Sequence, residues 1–241
     1  MAKPFLLGVL GGMGPLATLD FQHQLLAATP AERDQHHLPS VVWNVPQIAD
    51  RQKALAGTGP SPLPQLLHGI EKLNQAGASH IVIPCNTAHH WYPQLSEASD
   101  APVLHIVDAT VEALLQTPKQ PQRVGIIATK GTLDAGWYQQ RLAAQGIDAI
   151  TPEDDELAEW FVPGCYAVKR GKLEEAGELL SLQALALLAR GAQQLVLACT
   201  EVPVALRAVD APFLSLTHDP AQSLAERCSR LWQDYRLTQL A

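Results

Sequence analysis

The chain has 241 residues, 47% of them apolar, and carries 17 Lys plus Arg against 24 Asp plus Glu, for a formal charge of −7. That length admits one large domain or two of about 120 residues. The acidic balance argues against a nucleic-acid footprint and suits a small-molecule partner, and no apolar stretch reaches the roughly 18–20 residues of a membrane-spanning helix. Neither nucleic acid nor membrane is therefore expected as a partner.

Strand-like and helix-like runs alternate along the chain. "FLLGVL" (5–10) reads as a buried strand, and "PLATLDFQHQLLAAT" (15–29) has helical spacing with Pro15 suited to the first turn. "SVVWNV" (40–45) is a second strand, "PLPQLLHGIEKLNQAGA" (62–78) a helix ending near Gly77, "HIVIPC" (80–85) a third strand and "APVLHIV" (101–107) a fourth. "TPKQPQ" (117–122) is a polar candidate linker. "RVGIIAT" (123–129) opens another strand, followed by a helix over 132–145, a long helix over 173–192, the strand "QLVLAC" (194–199), the strand "APFLSL" (211–216) and a terminal amphipathic helix. This alternation predicts an α/β fold with mostly parallel sheets.

The chain repeats itself. "FLLGVLGG" matches "RVGIIATKG", aligning Gly8 with Gly125; "SHIVIPCNTA" matches "QQLVLACTEV", aligning Cys85 with Cys199; and "DAPVLHIVD" matches "DAPFLSLTH", aligning Pro102 with Pro212. The offsets are 117, 114 and 110 residues. The expected architecture is two pseudo-symmetric, Rossmann-like α/β domains, 1–116 plus 211–241 (the terminal helix returning to the first) and 119–210, with an interdomain active-site cleft. Ligands of parallel sheets sit beyond the carboxyl ends of the strands. Cys85 and Cys199 stand at two such ends, so the repeat predicts two equivalent thiols flanking one ligand. "FLLGVLGGMGPLA" after Lys3 has the outline of a signal peptide, but its internal counterpart makes it part of the fold. The four cysteines at 85, 165, 199 and 228 lack C-x-x-C spacing. That argues against a disulfide framework or a zinc site and for reduced thiols in a cytoplasm.

Two acid/base groups on opposite faces of one carbon can remove a proton from one side and return one to the other, which inverts the stereocentre. A thiol, with an ordinary pKa of about 8.5, suits that role. Asn86, Thr87 and Thr200 can cap the helices that follow the two cysteines, whose N-termini would offer N–H groups to a carboxylate. "GMGPLA" (12–17) satisfies G-x-G-x-x-A, but the next strand ends at Asn44 without the acid that ribose recognition needs. The loop is read instead as an anion site, with Gly12 and Gly14 exposing N–H groups and Met13 as a pocket wall or a core residue.

"LGGMGPLAT" (10–18), "PCNTAH" (84–89) and "ACTEVP" (198–203) resemble the signature segments of the aspartate/glutamate racemase family, above all its aspartate racemase branch. The resemblance runs from the first strand to the last. It implies a cofactor-independent 1,1-proton transfer at Cα, without pyridoxal phosphate or metal, with Cys85 and Cys199 as the acid/base residues. It also implies substrate carboxylates held by Arg51 in "QIADR" and by Lys169 in "YAVKRG", alongside Met13, Gly14, Asn86, Thr87 and Thr200. Cys199 would serve the L form and Cys85 the D form. Gln52 stands where relatives commonly have Thr, and Ala198 where they have Gly; both departures touch the substrate pocket. Cys85 is retained where one-enantiomer relatives carry Thr, which implies a two-way enzyme.

The function expected is racemisation of an acidic amino acid, aspartate foremost, with a homodimer as candidate assembly. A two-thiol racemase of another amino acid or a hydantoin, and a non-catalytic binder of small acids, are the alternatives. Nine histidines invite a metal reading, but His36–His37 and His89–His90 are adjacent pairs rather than an i, i+4 pair. His89 is read as either site-lining or helix surface, and His218 as part of the loop after the last strand. Glu201 either polarises the site or decorates a helix start. Cys165 and Cys228 lack repeat partners, and Cys228 reads as core. No residue stands out as an activating partner for either thiol.

Overall fold

The structure, a computed structural model, describes residues 4–240. The elements begin with β1 (Leu7–Gly11), α1 (Pro15–Ala28), β2 (Ser40–Asn44), α2 (Arg51–Leu55), α3 (Leu63–Gln75) and β3 (His80–Val82). A 3-10 turn at Thr87–Trp91, α4 (Tyr92–Glu97), β4 (Val103–Leu104) and α5 (Ile106–Leu115) follow. The second series is β5 (Arg123–Ala128), α6 (Lys130–Ala135), α7 (Trp137–Ala143), β6 (Asp148–Ile150), the single turn α8 (Asp154–Glu156), α9 (Val162–Lys169), α10 (Leu173–Ala189), β7 (Gln194–Ala198), α11 (Glu201–Ala208), β8 (Thr217–His218) and α12 (Pro220–Leu240). Among the described residues no helix is long and apolar enough to cross a membrane.

The strands form two four-stranded parallel sheets with the same topology, β2-β1-β3-β4 and β6-β5-β7-β8. Each belongs to one of two compact units: residues up to 109 with those from 221 onward, and Thr110–Pro220. The first division falls inside α5, and the polar stretch 117–122 lies within the second unit. Thr110, the first residue of α5 that belongs to the second unit, is hydrogen-bonded with the buried Tyr138 of α7, whose phenol burial pushes well above its ordinary range. β1 and most of β5 are buried on both faces, as central strands covered by helices must be. Leu66, Ile70 and Leu73 of α3 pack with Leu10 and Ile81 in the first unit, and Leu180 and Leu187 of α10 with Leu195 and Leu197 in the second. In the first unit, α12 is anchored by Trp232 Nε1 donating to the His36 carbonyl (2.9 Å) and Ser229 Oγ to the Ala28 carbonyl (2.8 Å).

Register shows how far the repeat holds. Gly8 pairs with Ile81 and Gly125 with Leu195, and each of Cys85 and Cys199 lies four residues beyond that partner. The two thiols are therefore equivalent in the repeat. The third pair of segments is different. Ile81 pairs with Val103, but Leu195 pairs with Thr217, so the equivalent of β4 is Thr217–His218 rather than "APFLSL". Residues 211–216 form a turn and the 3-10 helix Leu214–Leu216, with Phe213 buried in the core cluster. Pro102 and Pro212 match in sequence without matching in the sheet, because the "DAP" segment of the second copy starts four residues earlier relative to its strand.

Two other expectations are corrected, and one further segment acquires a structure. "APVLHIV" ends as a strand at Leu104, and Ile106–Val107 open α5. The helix over 132–145 is broken at Gly136, whose φ of +69° ends α6 and starts α7, a conformation only glycine adopts without strain. Residues 154–169 are helical throughout, with a π-helical turn at Leu157–Phe161. Pro163 accounts for that turn: it has no N–H to give, and its ring would meet the carbonyl of residue 159 in a regular helix. The wider turn accommodates both.

Candidate active site

In the first unit the loops leaving β1, β2 and β3 emerge at one edge of the sheet, since the strands are parallel and adjacent. The Gly-rich loop after β1 is built on Gly12. Its φ is +99°, and a Cβ there would stand 2.3 Å from the Val45 carbonyl carbon. Gly12→Ala is expected to cost about 2 kcal/mol or more in stability and to perturb the loop's function, read by thermal unfolding beside activity. The Gly12 amide is not exposed to an anion as expected. It donates to Thr18 Oγ1 (2.9 Å), which in turn donates to the Gly14 carbonyl (3.0 Å). Thr18, at the first turn of α1, thus cross-braces the loop. It is part of "LGGMGPLAT", and its spacing from Gly14 is the i, i+4 signal that could have revealed it. Met13 is 2% exposed and packs in the same core cluster as Ile48 and Cys85. Gly14 is half-buried.

Arg51 opens α2 just beyond β2. Asp50 caps that helix, accepting from the amides of Gln52 (2.9 Å) and Lys53 (3.1 Å). Arg51 is only 9% exposed. Its Nη1 donates to the carbonyls of Ile48 (3.1 Å) and Ala49 (2.9 Å), while its buried Nε has no hydrogen-bond partner. Among the described residues it makes no ion pair. A guanidinium taken out of water without an anion is unfavourable by several kcal/mol, so this arrangement calls for an anionic ligand.

Cys85 lies three residues beyond β3 and is 6% exposed. Asn86 and Thr87, both buried, follow at the start of the 3-10 turn. Asn86 occupies the N-cap position but makes no side-chain cap, and Thr200 likewise at the start of α11. Both have helical backbone angles rather than the extended ones from which a cap side chain reaches back. His89 is not a surface group: it is 1% exposed, and its Nδ1 bonds the Cys85 carbonyl at 2.9 Å.

In the second unit Cys199 directly follows β7 and is 6% exposed. Its Sγ donates to Glu201 Oε2 (3.1 Å), which Thr200 Oγ1 also approaches (3.5 Å). Cys165 Sγ, on α9, is 3.7 Å from Cys199 Sγ. The Cys165 thiol, burial and the Glu201 carboxylate together push the Cys199 thiol well above its ordinary range. The surroundings of Cys199 thus favour its thiol form, and Glu201 is the partner that sequence reasoning left undecided. Replacing it by Gln removes a negative charge beside the nascent thiolate, so Glu201→Gln should lower the Cys199 pKa. The expected result is an increase of about tenfold in Cys199 alkylation by iodoacetamide at neutral pH, read by peptide mass mapping. Lys169 lies one turn beyond Cys165, exposed, with Nζ 4.7 Å from the centre of the Tyr166 ring. His218 belongs to β8 and contacts Gln194 Oε1 (2.8 Å). Cys228 is core, and burial pushes its thiol up to about 12. None of the four cysteines forms a disulfide.

Cys85 and Cys199 thus stand at equivalent strand ends, Cys199 beside a carboxylate; comparisons with known proteins identify the family. The model of the family described as Asp/Glu/Hydantoin racemase matches residues 10–228. The chain belongs to that family. Among solved structures, an aspartate racemase from Picrophilus torridus superposes with a TM-score of 0.82 at 28% identity, over 97% of this chain and 99% of the other. The broad specificity amino-acid racemase RacX of Bacillus subtilis is 28% identical over 159 residues, 60% of this chain and 63% of that protein's length. A glutamate racemase from Bacillus anthracis shares the fold, with a TM-score of 0.69 at 16% identity over 97% of this chain and 84% of the other. The mixed α/β architecture with two four-stranded parallel sheets is thus that of two-domain racemases.

Proposed function

We propose that this racemase-family protein inverts an acidic amino acid, aspartate foremost, without a cofactor, by passing the Cα proton between Cys85 and Cys199. The observation that carries the substrate class is Arg51, a buried arginine with no ion-pair partner among the described residues, on the helix α2 that packs against the 3-10 turn following Cys85. An amino-acid carboxylate supplies the missing charge, and bidentate geometry makes such pairs strong. The near full-length likeness to the Picrophilus aspartate racemase favours aspartate over glutamate. Lys169 is the proposed partner of the second carboxylate, and Asn86, Thr87, Thr200, Met13 and Gly14 line the substrate's surroundings.

The chemistry follows from protonation states. One thiol begins as thiolate and takes the Cα proton; the other begins as thiol and returns one to the opposite face. Cys199, beside Glu201 and Cys165, starts as the thiol. The resting protein is therefore set for the enantiomer whose hydrogen faces Cys85. A thiol with a raised pKa also gives a stronger base once it has lost its proton, which the weakly acidic Cα–H requires. Carboxylate binding by Arg51 and exclusion of water supply further stabilisation of the carbanion-like transition state.

RacX favours a second reading, a broader amino-acid substrate range, which Gln52 and Ala198 would serve. Incubating the protein in heavy water with a panel of D- and L-amino acids and hydantoins, read by proton NMR, decides between them. Exchange and inversion confined to aspartate, or to aspartate and glutamate, is the expected result. Exchange of neutral amino acids supports the broad reading, and no exchange at all makes the chain a binder.

A further inference from the structure

We propose that His89 is a positioning residue for Cys85, an inference that rests on the racemase reading above. The backbone N–H of Ile106, the first residue of α5, donates to His89 Nε2 at 3.3 Å. An imidazole nitrogen that accepts carries no proton, so the hydrogen of the neutral ring is on Nδ1, which donates it to the Cys85 carbonyl at 2.9 Å. The ring is thus fixed in one tautomer and at both ends. Helix N-terminal amides lack partners within the helix, and here two imidazoles supply them: His89 takes Ile106, and His105 Nδ1 takes the amide of Val107 (3.2 Å). The two rings lie against each other with centres 4.6 Å apart, and His89 is 1% exposed. Rotating the His89 ring would break the bonds to Cys85 and Ile106.

The consequence is a rigid link from the start of α5 to the peptide unit of the residue that bears the thiol. β3 ends at Val82, three residues short of Cys85, so the ladder of the sheet does not itself hold that residue. A local turn, Cys85 N–H to the Ile83 carbonyl (2.7 Å), and the His89 bond fix its backbone instead. Reaction at Cα demands a sulfur placed within a fraction of an ångström, and a 1 Å displacement costs on the order of 100-fold in rate.

The test isolates each thiol. His89→Leu and His89→Asn are introduced separately into Cys199→Ser, which leaves Cys85 to exchange a Cα proton, and into Cys85→Ser, which leaves Cys199. Exchange of each aspartate enantiomer in heavy water is followed with thermal unfolding. In the Cys199→Ser background, His89→Leu should reduce the exchange rate about 100-fold with KM changed by less than about threefold. His89→Asn, whose amide N–H stands where Nδ1–H does, should recover at least about tenfold of that loss. The loss should be at least ten times smaller in the Cys85→Ser background. Equal losses in both backgrounds, no loss with Leu, or no recovery with Asn would overturn the proposal. Should the Leu variant not fold, the Asn variant carries the comparison between the two backgrounds. In the otherwise unaltered chain, His89→Leu should also change the rate of Cys85 alkylation at least about fivefold more than that of Cys199. That readout needs no turnover. If the unmutated protein exchanges no amino acid, the racemase reading fails, and a selective change at Cys85 then still upholds the link from His89 while a uniform one removes it.

Discussion

Cys85→Ser and Cys199→Ser are each expected to reduce aspartate racemisation by about 1,000-fold or more, because inversion needs a base on one face and an acid on the other, and a serine hydroxyl is far too weak an acid to be ionised near neutrality. The two residues occupy equivalent registers, four residues beyond Ile81 and Leu195. Abstraction without inversion needs only one thiol. Each variant should therefore still exchange the Cα proton of one enantiomer with heavy water, and the two variants should favour opposite enantiomers. By the family resemblance Cys199→Ser keeps the D form and Cys85→Ser the L form. Proton NMR of D- and L-aspartate with each variant reads both quantities. Substantial racemisation by either would refute the two-thiol mechanism, whereas exchange of the opposite enantiomers would reverse only the assignment.

The second large effect concerns Arg51. Arg51→Ala should cost about 2–5 kcal/mol of transition-state binding, roughly 30- to 5,000-fold in kcat/KM, as for a desolvated charge partner. Arg51→Lys should recover only part, because a point charge cannot reproduce the planar fork. The stability of the ligand-free protein should move the other way. Arg51 is 9% exposed and has no carboxylate partner among the described residues, so Arg51→Met should leave Tm unchanged or raise it, at the expense of turnover. Unaltered kinetics in Arg51→Ala would remove this residue from the site, and a fall in Tm with Arg51→Met would show that the charge is compensated in the free protein.

Much was legible in the chain because parallel α/β units write themselves as alternating runs. The apolar runs of β1, β3, β5 and β7 and the equivalence of Cys85 with Cys199 follow from local pattern and repetition, since a strand buried on both faces leaves little freedom in composition. The signature segments likewise carried the family. The fourth strand of each sheet was another matter. β4 and β8 are two residues long, too short to have a period, and their pairing is decided by the neighbouring strand. That is why "APFLSL" looked like a strand and is a turn. The kind of interaction at each site residue was also hidden. The N–H of Gly12 goes to Thr18, the side chains of Asn86 and Thr200 do not cap, Cys199 donates to Glu201 beside a third thiol from α9, and His89 bridges Cys85 to α5. Residue type and spacing determined where the thiols and the arginine would stand along the chain. Only the tertiary structure decided their partners, because a hydrogen bond between Cys165 and Cys199, or between His89 and Ile106, joins residues whose proximity no local pattern encodes.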